Sequence, residues 1–360
     1  MMNTKLFHSS GAILVAAMAL TLFGAGCFGS TTKTVTGPDS GVWKTTDRGQ
    51  TWVSKKALVD GPRITAGAAE IAVQAMALDK QDRGTIYLGT AAHGLVYSLD
   101  GGDSWTKMKA LEATNVSSVA VDTQNKCKVY AASLNRIYRT KNCGRDWEAF
   151  FDPRTDKIFT QVVVDWFTPT VVYAGNNDGD IFKSTDEGVG WTVVKRANAA
   201  ITSMIVSPED SRVIYAGTDG DGIWKSLDSG VTWLQIRKEF GDIGDARRVV
   251  RVVPDPFSAD KLIIVHRGGI AKSEDAGQTW KSLNLIGSVG ENAVADLAID
   301  ANDSKKMVYT GPTALVFTDD GGATWVAKRL PSTSQGTTVL IDPKDGNTVY
   351  LGMQPPKKRK

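Results

Sequence analysis

Seven copies of one short phrase, S/T-x-D-x-G-x-T/S-W, constrain this chain more than any other feature. They run Thr45 to Trp52, Ser98 to Trp105, Thr140 to Trp147, Ser184 to Trp191, Ser226 to Trp233, Ser273 to Trp280 and Thr318 to Trp325. The central acidic or amide positions are Asp47, Asp100, Asn142, Asp186, Asp228, Asp275 and Asp320. Their recurrence at roughly 45 residues is the period of a solenoid, propeller or array. The third copy departs from the rest, with Asn142 for Asp and Asp146 for Thr or Ser, and reads as degraded.

Each phrase lies between two short apolar runs, such as Gly222-Ile223-Trp224-Lys225 and Trp233-Leu234-Gln235-Ile236, and so reads as a β-hairpin. The carboxylate can accept N–H bonds within its own turn, glycine tolerates a positive φ, and the closing tryptophan (52, 105, 147, 191, 233, 280, 325) offers apolar surface beside the turn. These roles are structural, since repeated turns are ordinary and repeated active sites rare. Two further strand-like runs precede each phrase, giving four strands per repeat. The first phrase lacks that preceding pair, and the last pair, Thr337 to Asp342 and Thr348 to Gly352, lacks a following phrase. The C-terminal strands therefore form the inner half of a blade and the N-terminal strands its outer half. The expectation is an all-β, seven-bladed β-propeller of four-stranded antiparallel blades over residues 41–353.

The phrases resemble Asp-boxes, the bacterial neuraminidase repeats of sialidases, xyloglucanase-type glycoside hydrolases, sortilin-type receptors and photosystem II assembly factors. A single seven-bladed ring behind a lipoprotein-like leader most resembles the photosystem II stability and assembly factors. That resemblance implies a non-enzymatic scaffold binding a membrane-associated protein complex, with an arginine-rich patch on the propeller. The alternative is a carbohydrate-active propeller that hydrolyses or binds glycans. Against it, a sialidase needs an Arg-Ile-Pro element that only Pro62-Arg63-Ile64-Thr65 approaches, and xyloglucanases use two rings.

Residues 1–27 read as an export signal: Lys5, an apolar core from Ile13 to Phe23, then Gly24-Ala25-Gly26-Cys27. Cys27 is the expected lipidation site, although lipoboxes usually carry Leu where Gly24 stands. Residues 28–40 would be a flexible Thr/Ser-rich tether and 354–360 a basic tail. The implied location is a membrane-anchored one, facing the periplasm, the cell surface or an equivalent lumen. Export permits a disulfide between Cys127 and Cys143, which the blade pattern brings to one edge, in the blade with the degraded phrase. The formal charge is +3, but Lys357, Lys358, Arg359 and Lys360 exceed that surplus alone, so the body lacks the mark of a nucleic-acid binder. The tail's other reading is contact with anionic headgroups.

In such a ring the repeated hairpins share one face, and ligands favour the other. The longest segments expected on that second face are Ala57 to Ala72 and Glu239 to Arg251. Arg247, Arg248 and Arg251 form the densest basic cluster, which Arg196, Arg237 and Arg267 could extend; guanidinium groups suit carboxylate, phosphate or acidic-protein partners. Arg63 and His93 complete the candidate binding set. Glycosidase carboxylates could come from Glu70 or Glu291 with Asp178 or Asp219. Asn176-Asn177-Asp178-Gly179-Asp180 and Asp219-Gly220-Asp221-Gly222 resemble calcium-loop fragments but read as turns. No catalytic residue, metal ligand or cofactor is assigned, and His93 and His266 match no ligand spacing.

Overall fold

In the computed structural model the described residues are 39–152, 154, 156–286 and 294–356. The signal with Cys27, most of the tether, Lys357 to Lys360, Glu291 and most of the 286–294 segment lie outside them. The rest is a seven-bladed β-propeller, and helical structure among the described residues is confined to the 3₁₀ turns Gly67–Glu70 and Lys109–Leu111.

Blades are numbered here by their innermost strands: Val73–Leu78, Ser118–Val121, Phe159–Val164, Ile201–Val206, Val249–Asp255, Asp296–Asp300 and Gln335–Asp342. Each is followed outward by antiparallel neighbours. Blade 7 takes its two inner strands from Gln335–Asp342 and Asp345–Gln354, and its outer two from Gly41–Thr45 and Val53–Lys55. Gly41 pairs with Met353 and Thr45 with Val349, so hydrogen bonds between the two ends of the chain close the ring.

The apolar cores lie between blades rather than at the axis. One unites Tyr130, Ile137, Phe159 and Phe182 of blades 2 and 3, and another Tyr215, Ile223, Val249 and Ile264 of blades 4 and 5. The second strand of a blade is buried on both faces, as in Val172–Asn176 and Ile214–Thr218. Its glycine marks where the next blade comes closest. A Cβ on Gly175 would lie 2.5 Å from Cγ2 of Ile201, and one on Gly217 2.6 Å from Cγ1 of Val249. Burying a side chain such as Ile201 or Val249 stabilises by about 1.5–3 kcal/mol, so a substitution that pushed blades apart there would be costly.

Each repeated hairpin is knit by its own side chains. In blade 4, Ser226 Oγ donates to Asp228 Oδ1 at 2.8 Å and accepts from the Gly230 N–H at 2.8 Å. The Thr232 N–H donates to Asp228 Oδ1 at 2.8 Å and its hydroxyl to Oδ2 at 2.6 Å. Donation by Thr232 holds the Asp228 carboxyl down at about 2, and Thr279 holds Asp275 there likewise. Ser229 and Gly230 take left-handed φ of 57° and 84°, which turns the Gly230 N–H in to Ser226 Oγ and the Ser229 N–H out to the Arg212 carbonyl at 2.9 Å. The tryptophan indole often closes the turn, as where Trp233 Nε1 donates to the Gly230 carbonyl at 3.2 Å.

Three expectations change. The third copy is inverted rather than degraded. The Asn142 amide donates to Asp146 Oδ2 at 2.8 Å, and Asn142 Oδ1 accepts from the Asp146 N–H at 2.9 Å. Exchanging donor for acceptor at both ends keeps the bond. The hydroxyl bond from the Thr/Ser position is missing instead from the fourth copy, where Gly190 stands there and Asp186 accepts from the Ser184 hydroxyl at 2.7 Å and from backbone N–H groups. Cys127, in the turn between the two inner strands of blade 2, is disulfide-bonded to Cys143 of the third hairpin. The bridge therefore adds to an intact turn.

Second, Ala57 to Ala72 is not an open loop. Ala57–Asp60 and Arg63–Thr65 form a hairpin that pairs in parallel with Ser104–Lys107, giving blade 1 a six-stranded sheet. The hairpin covers Trp105, which is fully buried with its indole N–H donating to the Lys55 carbonyl at 2.8 Å. Third, the tether ends before Ser40. That residue is buried, and its hydroxyl donates to the Ala69 carbonyl at 2.9 Å.

Candidate functional site

The innermost strands of all seven blades surround a central cavity of about 370 Å³. Hydroxyls at the start of these strands bridge to the next blade: Ser117 donates to the Phe159 carbonyl at 2.8 Å, Thr160 to Ile201 at 2.6 Å and Thr202 to Val249 at 2.8 Å. Blade 5 has Val250 in that position and cannot continue the belt. An ion pair replaces it. Arg251 Nε lies 3.3 Å from Asp296 Oδ1, and Asp296 Oδ2 accepts from the Thr338 hydroxyl at 2.9 Å and the Val339 N–H at 3.1 Å. Asp296 is buried, so blades 5, 6 and 7 meet on one carboxylate.

On the face opposite the repeated hairpins, arginines and aspartates alternate across blades 3 to 5. Asp219, in the middle turn of blade 4, accepts from Arg248 Nε at 3.0 Å and from Arg267 Nη2 at 3.0 Å. Arg248 comes from the connection into blade 5 and Arg267 from that blade's middle turn, so one carboxylate ties three segments. The Arg248 bond, reinforced by Arg267, holds Asp219 below the usual carboxylate range and raises Arg248. The N–H groups of Gly220 and Gly222 both donate to the Arg247 carbonyl at 3.0 Å, fixing the backbone while the Arg247 side chain stays exposed. Arg247 makes no ion pair among the described residues.

The pattern repeats to either side. Buried Asp221 holds Arg237 at 3.2 Å and accepts from Gln235 at 2.8 Å. Buried Asp180 holds Arg154 at 2.8 Å and Arg196 at 3.2 Å. Arg154 in turn makes a two-point contact with buried Asp152, at 3.0 and 2.7 Å. Such carboxylates lock the orientation of half-exposed guanidinium groups, so less side-chain entropy is lost when the outward N–H donors meet a partner.

The structure thus gathers Arg248, Arg251 and Arg267 with Arg247 around blades 4 and 5, and alters their expected character. They are set in a lattice of aspartates rather than forming a bare positive patch. Arg63 does not join them: it lies on the exposed edge of the extra hairpin, because that segment became sheet. His93 is in the middle turn of blade 1, across the ring, where its backbone N–H donates to the Thr90 hydroxyl at 2.9 Å. Of the expected carboxylate pairs, those with Glu291 lie outside the described residues, and those with Glu70 draw on separate parts of the ring. Glu70 belongs to the connection between blades 7 and 1. Asp178 is in blade 3, 3.0 Å from Lys157, and Asp219 is in blade 4 on its two arginines. A carboxyl held low by two guanidiniums stays ionised at neutral pH and cannot act as a general acid.

Sequence reasoning missed Asp152, Asp296 and Arg154, and read Asp180 and Asp221 as turn residues without their arginine partners. One signal was available. Asp180 and Arg196 are directly paired across the strands flanking the fourth repeated hairpin, so the hairpin register alone sets these opposite charges side by side.

Similar solved structures agree on the fold. A GH74 enzyme of Niastella koreensis matches with TM-score 0.63 and 17% identity, over 78% of this chain and 51% of that one. A YCF48 bound to a D1 peptide matches with TM-score 0.62 and 16% identity, over 81% of this chain and 94% of that one. YCF48 from Cyanidioschyzon merolae matches with TM-score 0.61 and 13% identity, over 81% and 97%. The chain therefore spans about half the length of the GH74 enzyme and nearly the whole of each YCF48. No protein-family profile and no curated protein sequence matches it.

Proposed function

We propose that this chain is an exported, lipid-anchored, non-enzymatic propeller whose arginine–aspartate face binds a protein partner within a membrane-associated complex. The observation that carries the reading is the Asp219 node, where Arg248 and Arg267 are pre-oriented beside exposed Arg247. Fixed guanidinium forks suit an acidic segment or a chain carboxylate. A YCF48 of similar fold and nearly equal extent has been captured with a D1 peptide, which supports a peptide or protein as the ligand class. Cys27, following small residues, supports lipid anchorage and a location on the outer side of a membrane.

The test is co-purification from detergent-solubilised membranes with the intact protein and with Arg247→Glu/Arg248→Glu. Loss of the partner set in the variant, with an unchanged melting temperature, is the expected result. Unchanged partners, or turnover on a panel of chromogenic glycosides, would overturn the reading.

A further inference from the structure

Both ends of the described chain leave the ring at one place. Gly41 begins the third strand of blade 7, and Gln354 ends its second, with Gly41 opposite Met353. Antiparallel strands that meet there put both exits on the arginine–aspartate face, about 5 Å apart. The N-terminal exit is fixed. The Asp39 carbonyl accepts from Ser332 Oγ at 2.7 Å and from Trp43 Nε1 at 3.3 Å, and Ser332 belongs to the connection between blades 6 and 7 on that face. Between Cys27 and Asp39 lie residues 28–38, whose extended reach is about 40 Å. Past Gln354 come Pro355 and Pro356, then Lys357, Lys358, Arg359 and Lys360.

We infer that the arginine–aspartate face is turned toward an anionic bilayer, held by two attachments at one edge: the N-terminal anchor and the basic tail. The inference rests on lipidation at Cys27. One acyl signal combined with a basic cluster is a recurrent way of strengthening peripheral attachment, and each basic side chain near an anionic surface adds attraction. A lipid on its own leash would let the ring tumble. A second, electrostatic contact leaving the same edge, with Arg247 exposed on the same face, selects one orientation. The opposite face bears exposed Phe167, Val231 and Phe257, which supply the competing orientation. The partner's epitope then lies close to the bilayer, within the reach of the leash.

The experiment uses the full lipidated protein on phosphatidylglycerol-containing vesicles that carry headgroup nitroxide lipids. A fluorophore is attached at Asp242→Cys, on the arginine–aspartate face at the far side of the ring, or at Gln50→Cys, on the hairpin face of the anchored blade. Both residues are exposed. Quenching several-fold stronger at position 242 than at 50 is expected. That ratio should fall toward one when Lys357, Lys358, Arg359 and Lys360 are changed to Gln, on purely neutral vesicles, or at high salt. Equal quenching on anionic vesicles, stronger quenching at 50 (a ring on edge or inverted), or a ratio indifferent to the tail would overturn the inference. Lipidation is read separately from the mass of the purified protein. An unlipidated product removes the anchor reading itself, a distinct failure.

Discussion

The two faces of this ring use the same residue, aspartate, in opposite ways. In the repeated hairpins the central carboxylate is satisfied within its own turn: Asp228 meets Ser226 and Thr232, and Asp275 meets Ser273 and Thr279. On the opposite face the partners come from elsewhere: Asp219 holds Arg248 and Arg267, and Asp296 joins blades 5, 6 and 7. Local pairing makes a turn that can be repeated in any blade. Distant pairing makes a surface that exists once, and only such a surface can be specific for a partner.

The comparison breaks most clearly at Asp296. Asp296→Ala leaves the Val339 N–H and Thr338 hydroxyl without their acceptor and Arg251 unpaired; a loss of about 3 kcal/mol is expected from denaturant unfolding. If the loss is negligible, the carboxylate does not hold the three blades. Cys127→Ser should cost a comparable amount, about 3 kcal/mol in the chain-entropy model for a separation of 16 residues. Because the third hairpin keeps its bonds, that loss should match the melting shift produced in the parent by reductant.

Smaller effects sharpen the contrast within the hairpin face. Asn142→Asp alone sets two carboxylates together with no donor between them and should lower the melting temperature. Adding Asp146→Thr should restore it, since the usual acceptor–donor arrangement returns. Asp228→Ala should destabilise more than Asp186→Ala, whose carboxylate keeps the Ser184 donor but lacks the second hydroxyl that Thr232 supplies to Asp228. The pH dependence follows from the same bonds. Carboxyls held at about 2 in the fold and near 4 in the unfolded chain give stability that is complete above pH 4 and lost as pH falls toward 2. Thermal melts of Asp228→Asn across that range should show a shallower acid loss than the parent. The least effect on stability is expected from Asp219→Asn, which frees Arg248 and Arg267. Its readout is steeper salt dependence of partner capture, measured by titration with the co-purified partner.

The split also explains what could be read in advance. The period, the hairpins and the divided blade were legible, because the bonds that make each turn lie within about four residues and recur. Arg63 was misplaced because nothing local says that Ala57–Asp60 will pair in parallel with a strand some 50 positions on. The third hairpin looked weak because Asn142 and Asp146 each depart from the pattern singly, whereas only their contact shows that the two changes compensate. The arginine cluster was visible as composition, but its neutralisation was not, since Asp219 and Arg267 are 48 residues apart.

The sequence by itself determined the ring: blade number, hairpin chemistry, and closure by both chain ends follow from short-range hydrogen bonding and alternating burial repeated along the chain. Tertiary structure alone decided which arginines share a carboxylate, where the extra hairpin docks, and that the two chain exits lie on the arginine–aspartate face. Those outcomes depend on which blades become neighbours when the ring closes, and on the low dielectric between them, which makes a buried aspartate such as Asp296 hold the donors that packing brings within reach.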